Sequence, residues 1–297
     1  MKVGETMKRF VQKEWFMGYL FILPLLIYFL IFQLAPMLIS FFVSFTDWNM
    51  RSTPEWVGLT NYKNLLTDSE KYPDFWPSLW ITVKYILYSL PAGIFVSLVV
   101  ASLLNANVKG EGFFKTAYYI PNVTAGVAVA AMWVYLLDPK LGLINQLFQT
   151  DHTWLADVKT VLPTLAVMSI WGGLGYNVLI LISAMKNIPE ELYEAAKIDG
   201  ANIWQRFVNI TIPTIQPTIF FLVTTGLIAS FQVFDQMYLM TGGGPNGATT
   251  TFLLSLYNHA FRYYEMGTAS AMSYILLIII LLITWVNFKF FPQRNDM

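Results

Sequence analysis

"EAAKIDGA", residues Glu194–Ala201, is the stretch on which the reading of the fold turns. It lies in a segment, Lys186–Arg206, that packs seven charged residues into 21 positions. The chain around it is 56% hydrophobic and only 12% charged. A soluble domain of comparable length carries roughly 25% charged residues. The deficit makes lipid the main solvent of this chain. The charged, helix-forming island is therefore a loop outside the bilayer, set between two apolar runs.

A membrane-crossing helix needs about 20 predominantly apolar residues. Six segments qualify: Phe16–Phe45, Leu79–Leu104, Phe113–Leu137, Val161–Met185, Thr214–Met240 and Met266–Phe290. The first holds Pro24, Gln33 and Pro36, which predicts a tilted or kinked helix. Lys8, Arg9 and Lys13 precede it, as in a signal peptide. Its apolar run is too long for a cleavable leader and ends in no small-residue cleavage site, so it reads as an uncleaved span.

Lysine and arginine set the orientation. With both termini inside, the inner segments hold eleven of the eighteen Lys and Arg and the outer segments six, with Lys84 inside a span. The expected organisation is a cytoplasmic N-terminus (1–15), a first span (16–45) and an extracytoplasmic loop (46–78). A five-span core (79–290) follows, then a cytoplasmic C-terminus (291–297). The inner loop at 105–112 and the charged loop at 186–213 are then cytoplasmic, and the stretches 138–160 and 241–265 are outside. Trp48, Trp76 and Trp154 fall near span ends, where an aromatic belt belongs.

The charged loop reads as two short helices joined by a turn. Asn187 with Glu190 predicts a cap, with Pro189 in the first turn. Gly200 is a stop, and Asn202 with Gln205 repeats the cap pattern for a second helix running to Pro213. Leu192, Ala195, Ala196 and Asp199 share one face of the first helix. Two adjacent alanines flatten that face, so a neighbour can approach closely. A solvated linker is the plainer reading, and the length of the loop favours a partner.

The stretch "YEAAKIDGANIWQRFVNITIP" resembles the EAA signature of permease subunits of binding-protein-dependent ABC importers. Glu194, Ala195, Ala196, Gly200 and Pro213 match its spacing, with Asp199, Ala201 and Phe207 as in the sugar-type subgroup. "GLTNYKNLL", "YYIPNV", "GLINQLF" and "FDQMYLMTGGGP" are similar to the carbohydrate-uptake branch, the maltose and glycerol-3-phosphate permease type. The resemblance implies an all-α integral membrane protein of six transmembrane helices with the type I importer permease fold, in a bacterial or archaeal inner membrane. It implies that the loop is a coupling helix docked in a cytoplasmic ATPase. Glu194 would make the charged contact, Ala195 and Ala196 would fit the cleft, and Gly200 would provide the bend. The implied partners are a second EAA-bearing permease subunit (a heterodimer), an ABC ATPase dimer that holds ATP and Mg, and an extracytoplasmic solute-binding protein. The chain itself would need no cofactor.

A sugar path calls for hydrogen-bonding groups and aromatic faces. "WGGLGYN" and "SFQVF" offer Trp171, Tyr176, Asn177, Ser230, Phe231 and Gln232, and Asp235 follows. Interhelical packing is the competing role for each, and a helix-end or gate contact is that for Asp235. Gly172, Gly173 and Gly175 would allow close approach of a helix or a ligand. Lys84 lies near a span end, where snorkelling to the interface suits it. An oligosaccharide is the expected cargo.

Several classes are excluded or disfavoured. Net charge is zero, which leaves no basic face for nucleic acid. There is no cysteine, and the two histidines, His152 and His259, lie far apart, so neither thiol chemistry nor a metal site is expected. "TGGGPNG" lacks the GK[ST] ending of a phosphate loop, so ATP hydrolysis belongs to a partner and no catalytic residue is assigned. An ion-coupled secondary transporter is the alternative, and Asp235 is its sole support.

Overall fold

The computed structural model describes residues 14–105 and 110–290. The termini and the inner loop at 105–112 lie wholly or partly outside the described residues. Every regular element described is helical, and the one extended pairing is an antiparallel bridge between Thr46 and Trp56. Two units are distinguished.

The first comprises the described residues through Asp68 together with His259–Ile275. Helix α1 (Glu14–Phe29) passes through a π turn (Leu30–Leu34) into α2 (Ala35–Val43). Pro36 opens α2 and has no N–H for the carbonyl of Phe32, and the wider turn absorbs the mismatch. No residue of Met17–Val43 is buried, so this apolar helix needs lipid or another chain around it. After α2 the chain doubles back, with Phe45 stacked on Trp56 at 5.4 Å. In α3 (Thr60–Thr67), Asn61 Nδ2 donates to the carbonyls of Ser44 and Thr46, each at 2.9 Å.

The second unit comprises Ser69–Asn258 and the described residues from Leu276. Its helices are α4 (Phe75–Leu104), α5 (Glu111–Val123), α6 (Gly126–Leu136), α7 (Leu143–Phe148), α8 (Val161–Lys186), α9 (Glu190–Ile198), α10 (Ile203–Arg206), α11 (Gln216–Phe231) and α12 (Phe252–Tyr257). The last helix, α13 (Met266–Phe290), contributes its residues from Leu276. Helix α8 is the centre of this unit and packs on α4, α5 and α11. Leu174, Val178, Leu181 and Met185 bury one end of it against Ala101 and Leu104. At the other end Val161, Leu162 and Leu165 meet Tyr85, Met237 and Leu254.

Lipid offers no hydrogen bonds, so polar side chains inside such helices must find partners within the protein. Ser89 and Ser97 return theirs to carbonyls one turn back, at 2.8 and 2.7 Å. Asn287 on α13 reaches across to Thr224 Oγ1 on α11 at 2.6 Å, with both groups buried.

Among the described residues, four helices are long and apolar enough to cross a membrane: Met17–Val43, Phe75–Leu104, Val161–Lys186 and Met266–Lys289. The other two expected spans are not straight. Gly112–Val123 and Gly126–Leu136 meet at 102°, and Ile203–Thr214 and Gln216–Phe231 at 67°. In the first pair Thr124 and Ala125 are extended, and the Thr124 hydroxyl takes the Ile120 carbonyl at 2.8 Å, displacing a helical N–H. In the second, Pro213 and Pro217 stand on either side of Ile215, and each lacks the N–H that a continuous helix would use. The expected span to Met240 also ends early, at Phe231. The Val233 carbonyl beyond it is taken by the Thr251 hydroxyl at 3.1 Å.

The three glycines of "WGGLGYN" do different things. A Cβ on Gly175 would lie 2.2 Å from the Tyr118 carbonyl oxygen, whereas Gly172 and Gly173 have nothing within 4 Å. Gly175→Ala is expected to force α5 off α8 and to destabilise the protein by about 1–3 kcal/mol. Gly172→Ala should be neutral. Thermal unfolding of the two variants in detergent checks the contrast.

Candidate functional site

Two features of the second unit are candidates: a cavity between α4, α8 and α11, and the charged loop that follows α8. Three helices approach closely enough to pack, yet small residues at Gly93, Gly173 and Gly226 leave a space of about 340 Å³ between them. That volume is at the low end of the roughly 300–1,000 Å³ of small-molecule sites. Tyr176 and Asn177 face it from α8, Ser230 from α11 and Asn122 from α5. Leu90, Ile94 and Leu222 supply apolar wall.

At one end of the cavity three side chains close a ring. Tyr85 Oη donates to Ser169 Oγ at 2.7 Å, Ser169 Oγ to Gln236 Oε1 at 2.7 Å, and Gln236 Nε2 back to Tyr85 Oη at 2.7 Å. Each member gives one hydrogen bond and accepts one around the ring, so it is satisfied without water. The ring joins α4 and α8 to the segment after α11.

Of the residues singled out from the sequence, Tyr176, Asn177 and Ser230 line the cavity. Trp171, Phe231, Gln232 and Asp235 do not. Trp171 packs edge-on against Trp133 at 5.7 Å. Phe231 is buried in the core. Gln232 is exposed and marks the end of α11. Asp235, in the segment after α11, approaches the start of α6, its Oδ2 3.9 Å from where a Cβ on Gly126 would stand. Sequence reasoning missed Tyr85, Ser169 and Gln236. The amide beside Asp235 in "FDQMY" was the available signal for the last of these.

The loop has a closely determined backbone. Asn187 does not cap α9; it closes α8, and Pro189 precedes the first turn with no side-chain cap. Three intervening residues are too few for Asn187 to end one helix and cap the next. At the other end, Ala201 N–H reaches the Ala196 carbonyl at 2.9 Å and Gly200 N–H that of Lys197 at 3.1 Å. This is the Schellman pattern, and Gly200 takes its left-handed position with φ +78°. Asn202 and Gln205 then form a reciprocal capping box, at 2.8 Å each way. Glu194, Ala195 and Asp199 are exposed, Ala196 and Ala201 half-buried, and Pro213 stands at the bend into α11. Three large apolar side chains near the tip also stand in the open: Ile198 at 87%, Ile203 at 78% and Trp204 at 71% exposure.

The second unit thus combines a polar–aromatic cavity among apolar helices with an exposed, capped loop. Residues 89–293 match the family described as the inner membrane component of binding-protein-dependent transport systems, and the chain belongs to that family. It is 38% identical to the probable ABC transporter permease protein YesP of Bacillus subtilis, over 95% of this chain and 92% of that one. It is 32% identical to AmyD of Thermoanaerobacterium thermosulfurigenes, a probable starch degradation products transport system permease, over 99% of each. Its fold is that of a chain in the crystal structure of a bacterial ABC transporter involved in alginate import, with a TM-score of 0.84, 23% identity and full coverage of both chains.

Tyr85→Phe opens the ring and strips a partner from both Ser169 and Gln236. A loss of about 1–3 kcal/mol is expected. Gln236→Leu should cost a similar amount, and the double variant less than the sum, because the two remove one unit. Unfolding of the three proteins in detergent measures this.

Proposed function

We propose that this permease is one membrane half of an ATP-driven carbohydrate importer, and that α8 links the loop to the substrate path. The observation that carries the reading is a continuity. Tyr176 and Asn177, on the cavity wall, belong to the same unbroken helix whose end at Lys186 leads within three residues to α9. A displacement passed to the end of α8 at Lys186 therefore reaches the wall with no break inside the helix. Rigid-body rocking of this kind suits alternating access around a midplane site.

The loop suits a docked role. Ile198, Ile203 and Trp204 expose apolar surface that water does not favour, beside the carboxylates of Glu194 and Asp199. An ATPase cleft would cover the apolar tip and pair the acids. Gly200 and the capping box hold the tip in one shape, which reduces the entropy lost on docking. The ATPase, a second EAA-bearing permease forming a heterodimer, and an extracytoplasmic binding protein complete the assembly. ATP and Mg bind on the ATPase, and this chain acts as a transport subunit without enzymatic activity of its own. Both termini and the 186–213 loop lie in the cytoplasm, and the 46–78 loop lies outside.

The cargo is an oligosaccharide. Tyr176 offers an aromatic face to the C–H side of a sugar ring, and Asn122, Asn177 and Ser230 offer donors and acceptors to its hydroxyls. The names of relatives such as AmyD point the same way.

Transport by the reconstituted assembly tests the reading. Tyr176→Ala should lower sugar uptake at least tenfold, and ATPase assembly should survive. Glu194→Ala with Gly200→Ala should lose uptake together with ATPase attachment. Uptake and assembly left intact by the second pair would remove the loop from the mechanism.

A further inference from the structure

A second space, of about 480 Å³, lies where the charged loop meets the ends of α4 and α8, on the side of α9 away from Ala195. Glu190, Tyr193 and Lys197 reach it from α9 at spacings of three and four residues, so they share one helix face. Arg206 and Thr211 reach it from the other arm, beyond the Gly200 turn. Arg206 therefore faces Glu190 and Lys197 across the cavity, and no ion pair joins the three.

The Arg206 Nε–H is buried and has no hydrogen-bond acceptor. An N–H of a charged group shut away from water is costly to leave unmade. Nearby, the Tyr193 and Thr211 hydroxyls lie 2.8 Å apart. One of them donates to the other, which leaves one O–H to give elsewhere. A guanidinium, an ammonium and a spare hydroxyl thus line one space with a single carboxylate, beside Ser102 and Asn105 at the end of α4.

We infer that this cavity binds a phosphate-class anion that bridges Lys197 and Arg206. Phosphate oxygens match the guanidinium fork and accept from both cations and from the hydroxyl. The ligand clips α9 to α10 across the Gly200 turn and so stiffens the loop. Its source is a lipid headgroup or a soluble phosphate. The inference rests on the geometry of the loop and not on the transport reading.

The test uses the full chain purified in a phosphate-free maltoside detergent. Its melting temperature is followed with inorganic phosphate against chloride at constant ionic strength, and with short-chain phosphatidylglycerol against the matching phosphatidylcholine. Wild type should gain about 2–4 °C from one of the two anions. The gain should vanish in Lys197→Gln, an exposed position where folding is not at stake, and in Arg206→Gln. Glu190→Gln, which removes the opposing charge, should enlarge it. A gain from inorganic phosphate identifies a soluble ligand, and a gain from phosphatidylglycerol alone a headgroup. No gain from either, or a gain that survives both cation variants, overturns the inference. A failure of the transport reading shows separately, as no ATPase co-purifying with the chain.

Discussion

Lipid cannot hydrogen-bond to a peptide group, and this constraint shapes everything else in the molecule. It confines the backbone to helices and makes each helix apolar over most of its surface. It also gives every interruption a chemical explanation. The Thr124 hydroxyl occupies a carbonyl that the turn would otherwise fill, and the Thr251 hydroxyl occupies the one left open beyond α11. Pro213 and Pro217, on either side of the bend at Ile215, each lack a helical donor. The charged residues are displaced to the loops, which is why a compact charged island between two spans is so visible.

Within that frame α8 is the central helix of the second unit. Its 26 residues span about 39 Å at 1.5 Å per residue, enough to cross the hydrocarbon core. Gly175 seats it against the backbone of α5, and the apolar clusters at its two ends hold it on α4. The Tyr85–Ser169–Gln236 ring ties it to the segment beyond α11. The helix thus has fixed neighbours along its length and a capped, exposed loop at its end. That arrangement favours transmission of a loop displacement as a whole-helix movement.

Much of this was legible in the amino-acid sequence. Gly200 and the Asn202–Gln205 pair announced the turn and the second cap, because capping chemistry is local. Apolar run lengths located the straight helices. The bends were not legible, because a uniformly apolar run carries no periodic signal that changes at a corner. The break in the third span lies at Thr124 and Ala125, past Pro121, which stays inside the helix. The hydrogen-bond ring was also out of reach, since Tyr85 and Gln236 are 151 positions apart. Asn187 misled because a helix end and a helix start three residues apart compete for the same side chain. Ile198, Ile203 and Trp204 carry no signal of exposure in the sequence, and only the structure shows them without cover.

The central claim is that a change at the loop reaches the cavity through α8. The chain has no cysteine, so a single Asn177→Cys places one thiol of this chain on the cavity wall. The measurement is its alkylation rate in the assembled complex, with and without a non-hydrolysable ATP analogue. The account predicts a nucleotide-dependent change in rate, abolished by Trp204→Ser at the loop tip while basal labelling persists. A rate indifferent to nucleotide, or a nucleotide effect untouched by Trp204→Ser, would contradict it.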